Sequence, residues 1–389
     1  MRNINREYLF IRIMTFFRYF GDCMFYGYFY LFLKSKGLLE NEIGAICALT
    51  PIITLACNPF WNHLSKNANT NRNIMRIITV LEGIFIILYT GFDSVEAIAV
   101  ITCLVAIVGS PFYNLHDGFT ATFAETYQKN YTSIRFIGTF AYFCATLTAA
   151  IILRFMPLGY NVLLMIGGII FISVSFWFFL IKPIDLSLTK GGEKVVRNYK
   201  QVFKNKTFWF YMLMFFLLNT IPYTADNYVS LYYTEYLEIS SSSWSLIFAA
   251  TLMTEFIVLL VLSKIGDKFN NAILFLLSGT VYMLRALAFA LSLPTPVLIF
   301  ITLLRGLSYG CFVHANIRLL KRICGIENVT TAYFVLGIGV AVVQTISHFT
   351  FGNLISVVGY PSFFMVVASI GIIGNILHWS YLIKKKFSY

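Results

Sequence analysis

The sequence predicts an all-α polytopic membrane protein, with twelve transmembrane helices arranged as two pseudo-symmetric six-helix bundles. Three observations predict it. Of 389 residues, 58% are hydrophobic and only 12% charged, where soluble globular chains run at roughly 45–50% apolar and about 25% charged. A helix of about 20 apolar residues plus its loop needs roughly 30 residues in a bilayer, so the length allows about a dozen spans. The third observation is a weak repeat between the halves at a constant offset, set out below.

Apolar runs between polar or Gly/Pro-marked breaks give the elements in order. The first, 8–33, follows Arg2 and Arg6; it is too long for a signal-peptide core and has no small-residue cleavage site after it, so it is retained as span one. Spans two to six are 42–63, 73–92, 96–119, 134–155 and 161–181. A polar stretch from Lys182 to Lys206 carries seven basic residues and reads as a cytoplasmic linker. Spans seven to twelve are 207–233, 243–263, 271–291, 297–319, 331–355 and 360–382. The domains are therefore 1–182 and 207–389, joined by the basic linker 183–206.

At an offset of 200, Tyr28 and Leu31 fall on Tyr228 and Leu231, and Gly159 and Tyr160 fall on Gly359 and Tyr360. Gly138 falls one off Gly337. Parallel repeats of this kind mark several transporter folds.

The formal net charge of +12 would suit nucleic acid only if gathered on one soluble face. Instead the basic residues sit in the loops. With the N-terminus inside, 22 of the 29 Lys and Arg fall on the cytoplasmic side, from Arg2 through Lys66, Lys129, Lys190, Lys194, Arg197 and Lys264 to Lys384, Lys385 and Lys386. Only Lys34, Lys36 and Arg154 fall outside, so the positive-inside rule places both termini in the cytoplasm. Nucleic acid is excluded as a partner, and the seven cysteines, scattered singly, read as small hydrophobes.

No phosphate-binding loop, HExxH or GxSxG motif occurs, so uphill work would draw on an ion gradient and the chain reads as no enzyme. Charges within spans are costly unless they face a cavity or a partner, and they are the candidate working residues. Arg18 and Asp22, four apart on one helix, form an ion pair that either lets span one insert or serves transport. Glu255 in span eight has no opposite charge within a turn of its own helix. A carboxyl desolvated there suits a proton carrier or a protonated structural hydrogen bonder. Asp226, Arg285 and Arg305 lie toward the outer side, and Asp117 near the inner end of span four. His314 has the titration range for a proton step, or is simply packed; His116, His348 and His378 read as structural. Tyr19, Tyr26, Tyr223 and Tyr309 sit beside these charges and could stack on a sugar face or a nucleobase.

Several motifs resemble the major facilitator superfamily, in the branch holding nucleoside/proton symporters, phenylpropionate permeases and, more distantly, lactose permease. They are Ile134-Arg135-Phe136-Ile137-Gly138-Thr139; Leu33 to Gly37 followed by Glu42-Ile43-Gly44; Thr254-Glu255-Phe256; Ser263 to Lys268; Leu284-Arg285; Pro294-Thr295-Pro296; and Ser308-Tyr309-Gly310-Cys311. The resemblance implies two six-helix bundles with a central site opening alternately to each side. It also implies that Arg135, Thr139, Tyr142, Tyr223, Asp226, Tyr309, Val313 and His314 line the substrate site. Glu255, Asp226 and His314 are the expected proton-coupling groups, and Arg18, Asp22, Asp117, Arg285 and Arg305 the charge pairs. The chain departs from the family at Tyr223, Asp226 and His314, at Arg305 and Ser308, and at Lys66, which replaces a loop Asp.

The expected function is proton-coupled uptake of a small polar solute such as a nucleoside or sugar, driven by the proton gradient with no cofactor and no metal. Efflux or uptake of drugs or organic acids is the alternative within the fold, and a channel or intramembrane enzyme the alternative outside it. The expected partners are the lipid bilayer and the solute, and the expected form is a monomer in a bacterial-type plasma membrane.

Overall fold

The computed structural model describes residues 3–156, 158–185 and 199–384, with the side chains of Thr132 and Asp267 left aside. Arg2, Lys190, Lys194, Arg197, Lys385 and Lys386, with most of the expected linker, lie outside the described residues.

Every regular element among the described residues is helical. Span one is α1 (Ile4–Tyr26) and α2 (Phe29–Ser35); α3 (Glu40–Leu64) and α4 (Ala68–Leu88) follow. Span four is α5 (Val95–Gly109) and α6 (Phe112–Thr126), and spans five and six are α7 (Tyr131–Phe155) and α8 (Gly159–Leu180). After the short α9 (Tyr199–Lys204), span seven runs through α10 (Lys206–Phe215), α11 (Ile221–Asp226) and α12 (Val229–Leu231). Then come α13 (Ser241–Ile265), α14 (Asn271–Ala290), α15 (Thr295–Leu303), α16 (Arg305–Cys324) and α17 (Val329–Lys384).

Ten helices among the described residues are long and apolar enough to cross a membrane. Two further spans complete the expected twelve. α17 folds as two helices across Gly359, whose φ of 77° breaks it, and α1 falls short on composition because it carries Arg6, Glu7, Arg12, Arg18 and Asp22.

Asparagines start the odd-numbered spans. The side chains of Asn3, Asn67, Asn130, Asn205 and Asn270 each accept a backbone N–H in the first turn of α1, α4, α7, α10 and α14, and Asn328 immediately precedes α17. A helix entering an apolar phase has orphan N–H groups that such a cap satisfies.

The repeat is visible as matching breaks. Span one interrupts at Gly27 and Tyr28, and span seven at Asn227 and Tyr228. Tyr28, Leu31, Tyr228 and Leu231 are all buried. α8 begins at Gly159, and the last helix restarts after Gly359.

Three spans differ from expectation. Span four runs to Thr126 instead of 119, and it bends at Pro111, which has no N–H for the preceding turn. The Ile107 carbonyl is taken up instead by Trp61 Nε1 at 2.9 Å and Ser110 Oγ at 3.3 Å. Asp117 therefore stands within α6 rather than near the end of a span. Span ten runs over 295–324 and breaks at Leu304, where Thr254 Oγ1 donates to the Leu303 carbonyl at 2.8 Å. Span seven is not one regular helix: wide turns at Phe216–Thr220 and Tyr232–Tyr236 flank α11 and α12. Irregular backbone at membrane depth needs such substitute partners.

The helices form two compact units. The first holds residues 1–38, 49–194 and 241–246; the second holds 39–48, 195–240 and 247–389. In the first, α1 packs against α7 and α8, and α4 against α8. A Cβ on Gly83 would stand 2.5 Å from the Gly168 carbonyl, so glycines set the close approach of α4 and α8. In the second, α14 packs against α16 and α17. Each unit has its own apolar core, around Met14, Phe112, Phe119 and Phe178 in the first and around Tyr211, Phe215, Phe275 and Leu319 in the second. Large apolar side chains such as Ile151, Phe176, Phe300 and Ile376 are exposed. In such number they suit lipid and not water.

Candidate functional site

Each unit buries a cluster of charges. In the first, the Arg18 guanidinium forks onto Glu82 of α4, with Nη1 at 2.7 Å from Oε2 and Nη2 at 3.1 Å from Oε1. Its Nη2 also lies 3.2 Å from Asp22 Oδ1. The rings of Phe112 and Phe171 sandwich the guanidinium, 4.0 and 3.7 Å from its carbon, an arrangement that favours a desolvated cation. Tyr113 donates to Asp22 Oδ2, and Tyr26 donates to Glu82 Oε1 at 3.4 Å. Gly109 leaves room for Glu82, since a Cβ there would stand 2.5 Å from Oε1. Arg18, Asp22 and Glu82 are sealed, with side-chain exposures of 1%, 0% and 0%.

Beside this cluster the Tyr19 ring is surrounded. It meets Tyr113 at 5.5 Å and Tyr142 at 6.2 Å between centroids, with the Arg135 guanidinium 5.4 Å from its centre. Gly138 admits it: a Cβ at 138 would stand 2.8 Å from the ring. Arg135 is exposed, while Thr139 and Tyr142 are half-buried. The expected Arg135 and Tyr142 thus come together, on a tyrosine of span one.

In the second unit Asp226, the last residue of α11, accepts from Arg285 Nη1 at 2.8 Å and from Arg305 Nε at 3.2 Å. Arg305 Nη1 also lies 3.6 Å from Glu255 Oε2, so the partner that Glu255 lacks on its own helix comes from α16. The approach is set by Gly306 and Gly310, four residues apart. A Cβ on Gly306 would collide with the Glu255 backbone, and one on Gly310 would stand 2.6 Å from Val258, the small-xxx-small packing of membrane helices. Tyr223 and Tyr309 stack nearby, 6.2 Å between centroids and 26° between planes. The Arg305 guanidinium lies 6.0 Å from the Tyr309 ring. This cluster is partly open: Asp226, Glu255 and Arg305 side chains are 11%, 12% and 19% exposed, Arg285 only 2%.

Three expected residues stand apart from these clusters. His314 packs on Gly266, where a Cβ would strike its ring; it lies nine residues beyond Arg305 on α16, about 13 Å of helix rise. Val313 is exposed. Asp117, half exposed, pairs with His116, Oδ1 to Nδ1 at 3.5 Å, and not with Arg18. Glu82, Tyr113 and Tyr282, whose ring centre lies 5.5 Å from the Arg285 guanidinium, are missing from the sequence reading. Glu82 left a plain signal, a carboxylate within an apolar span; Tyr113 left none among so many tyrosines.

Two helical units with charges locked inside each, in a chain of apolar spans, define a membrane transporter of the major facilitator fold. The chain belongs to the MFS_1 like family, which it matches over residues 8–369. It is 24% identical over 301 residues to the uncharacterized transporter YwbF of Bacillus subtilis (strain 168), covering 75% of this chain and 71% of that one. It is 25% identical over 118 residues to the maltose permease of Geobacillus stearothermophilus, 30% of each chain. The solved structure of the nucleoside transporter NupG superposes with a TM-score of 0.81 at 13% identity, covering 97% of this chain and 99% of that one.

Proposed function

We propose that the chain is a proton-coupled symporter, taking a small polar solute, a nucleoside or sugar, into the cell by alternating access. The observation that carries this reading is the pairing of neighbouring aromatic rings with a guanidinium in each unit: Tyr223 and Tyr309, stacked, with Arg305 in one, Tyr19 and Tyr142, edge to face, with Arg135 in the other. Rings offer faces to a sugar or base, and a guanidinium offers fixed donors to hydroxyls and carbonyls. The names of two similar proteins, a nucleoside transporter and a maltose permease, support the same solute classes. Buried carboxylates supply groups able to hold a proton. The loop charges support a bacterial-type plasma membrane with both termini cytoplasmic, and nothing in the reading requires a cofactor, a metal or a second copy.

Uptake by reconstituted vesicles tests this. An acid outside should stimulate accumulation of one solute among nucleosides and sugars, and a protonophore should abolish it. Tyr309→Ala should raise KM at least tenfold with little loss of protein in the membrane. Accumulation that survives the protonophore, or a gradient that drives these solutes outward only, overturns the reading.

A further inference from the structure

The two clusters differ in charge balance. The second unit sets Arg285 and Arg305 against Asp226 and Glu255, two cations for two carboxylates. The first sets Arg18 alone against Asp22 and Glu82. With all three sealed from solvent, full ionisation would leave one net negative charge buried among apolar side chains, which is costly in a membrane interior. Binding one proton removes it.

The groups facing Asp22 narrow the place. On its own helix stand Arg18 and Tyr26, with Cys23 adjacent. From α4 comes Glu82; from α6 come Tyr113 and, one turn on, His116; from α7 come Tyr142 and Arg135, around Tyr19. α8 contributes the Phe171 ring and glycines. Among the described residues Arg18 is the one cation in direct contact, and its fork occupies both oxygens of Glu82. Asp22 Oδ1 stands 3.2 Å from Arg18 Nη2 without a hydrogen bond to it, so of the two carboxyls Asp22 has the weaker hold on the cation. Its other oxygen meets the hydroxyl of half-buried Tyr113. That contact survives in either state: the phenol donates to the carboxylate, or accepts from the carboxylic acid.

We infer that Asp22 is the proton-binding carboxyl of the transport cycle, rather than the charge-balanced Glu255, and that Tyr113 links it to the Tyr19 and Tyr142 wall. This rests on the proton-symport reading above and deepens it. Proton loss from Asp22 would change the Tyr113 hydroxyl from acceptor to donor next to the rings that meet the solute.

Infrared spectroscopy of the full chain, purified in nanodiscs without solute, reads the proton directly. The wild-type chain at neutral pH should show a protonated-carboxyl stretch. Asp22→Asn, which keeps volume and the Tyr113 contact, should lose it, and Asp22→Glu should restore it at a displaced frequency. Glu82→Gln should also abolish it, because Arg18 then balances Asp22, and Glu82→Asp should leave its frequency unchanged; a proton held on Glu82 predicts the reverse, a band displaced by Glu82→Asp and not by Asp22→Glu. Glu255→Gln should leave the band in place, and melting curves identify any variant that fails to fold. No wild-type band, a band that survives Asp22→Asn, or one removed by Glu255→Gln overturns the inference. The symport reading fails separately. If accumulation collapses with a protonophore while Asp22→Asn keeps the band, symport stands and Asp22 is wrong. If the band follows Asp22 while accumulation ignores the protonophore, symport is wrong and so is the role of Asp22 in it.

Discussion

The first unit seals one cation with two carboxylates, whereas the second leaves two cations and two carboxylates partly open. Both tie the first helix of the half to its third, but with opposite signs. Arg18 of α1 meets Glu82 of α4, and Asp226 of α11 meets Arg285 of α14. Glu82 and Arg285 each stand fifteen residues after the capping asparagine of their helix, Asn67 and Asn270. Tyr26 and Asp226, each last before the break of its span, both reach that position. The repeat has kept the place of the ionic tie and exchanged its polarity. A position that must be neutralised in hydrocarbon can be held by either sign, provided the partner matches.

Removing the cation should separate the two units most sharply. Arg18→Met strands the sealed Glu82 carboxylate, and breaking a buried pair in this way costs about 3–5 kcal/mol. Arg285→Met leaves Asp226 with Arg305, so its loss is that of one charge-assisted hydrogen bond, about 1.5–3 kcal/mol. Thermal unfolding in detergent should rank Arg18→Met well below Arg285→Met, and Glu82→Gln combined with Arg18→Met should recover part of the deficit. Equal losses for the two arginine variants would mean that exposure and charge balance do not distinguish the clusters.

The helix contact that places Glu255 gives a smaller effect confined to the second unit. Gly306→Val puts a branched side chain against the backbone of α13, and overpacking of this kind costs about 1–3 kcal/mol. It should also carry Arg305 away from Glu255, so transport should fall further than stability does. Gly337→Val, where a Cβ meets nothing within 4 Å, is the control and should be close to wild type by both measures. A Gly306→Val chain that transports normally would show that the Arg305 to Glu255 contact is not needed.

Composition and loop charge made the twelve spans legible, because an apolar run of membrane length has few other uses. The ion pair of Arg18 with Asp22 was legible from four-residue spacing on one helix. The pairing of Arg18 with Glu82 was not, since pairing between helices depends on which faces meet, and those faces are set here by Gly83, Gly109 and Gly168. The Arg305 to Glu255 contact was hidden for the same reason, although Gly306 and Gly310 are a visible mark of close approach. His314 was legible as a titratable residue on a span, but not the packing of its ring, which fills the space a side chain at Gly266 would need. The break at Pro111 was readable in principle, but where the freed Ile107 carbonyl goes depends on Trp61 of another helix.

The capping asparagines give the finest measure of how far the halves correspond. Asn67 Oδ1 accepts from Thr70 N at 2.9 Å, and Asn270 Oδ1 from Ala272 N at 2.8 Å. Both sit at the start of the third helix of a half, and an alanine at such a cap costs about 1 kcal/mol. Asn67→Ala and Asn270→Ala should therefore lower stability equally, despite the contrast between the charge clusters fifteen residues further along. Lying in different units, the two should add within about 0.5 kcal/mol in the double variant. A loss at Asn67 exceeding that at Asn270 by more than this margin would trace to the extra Thr70 hydroxyl, which Asn67 also holds at 3.2 Å. A larger loss at Asn270 would show that the two caps do not carry equal shares of their helices' stability.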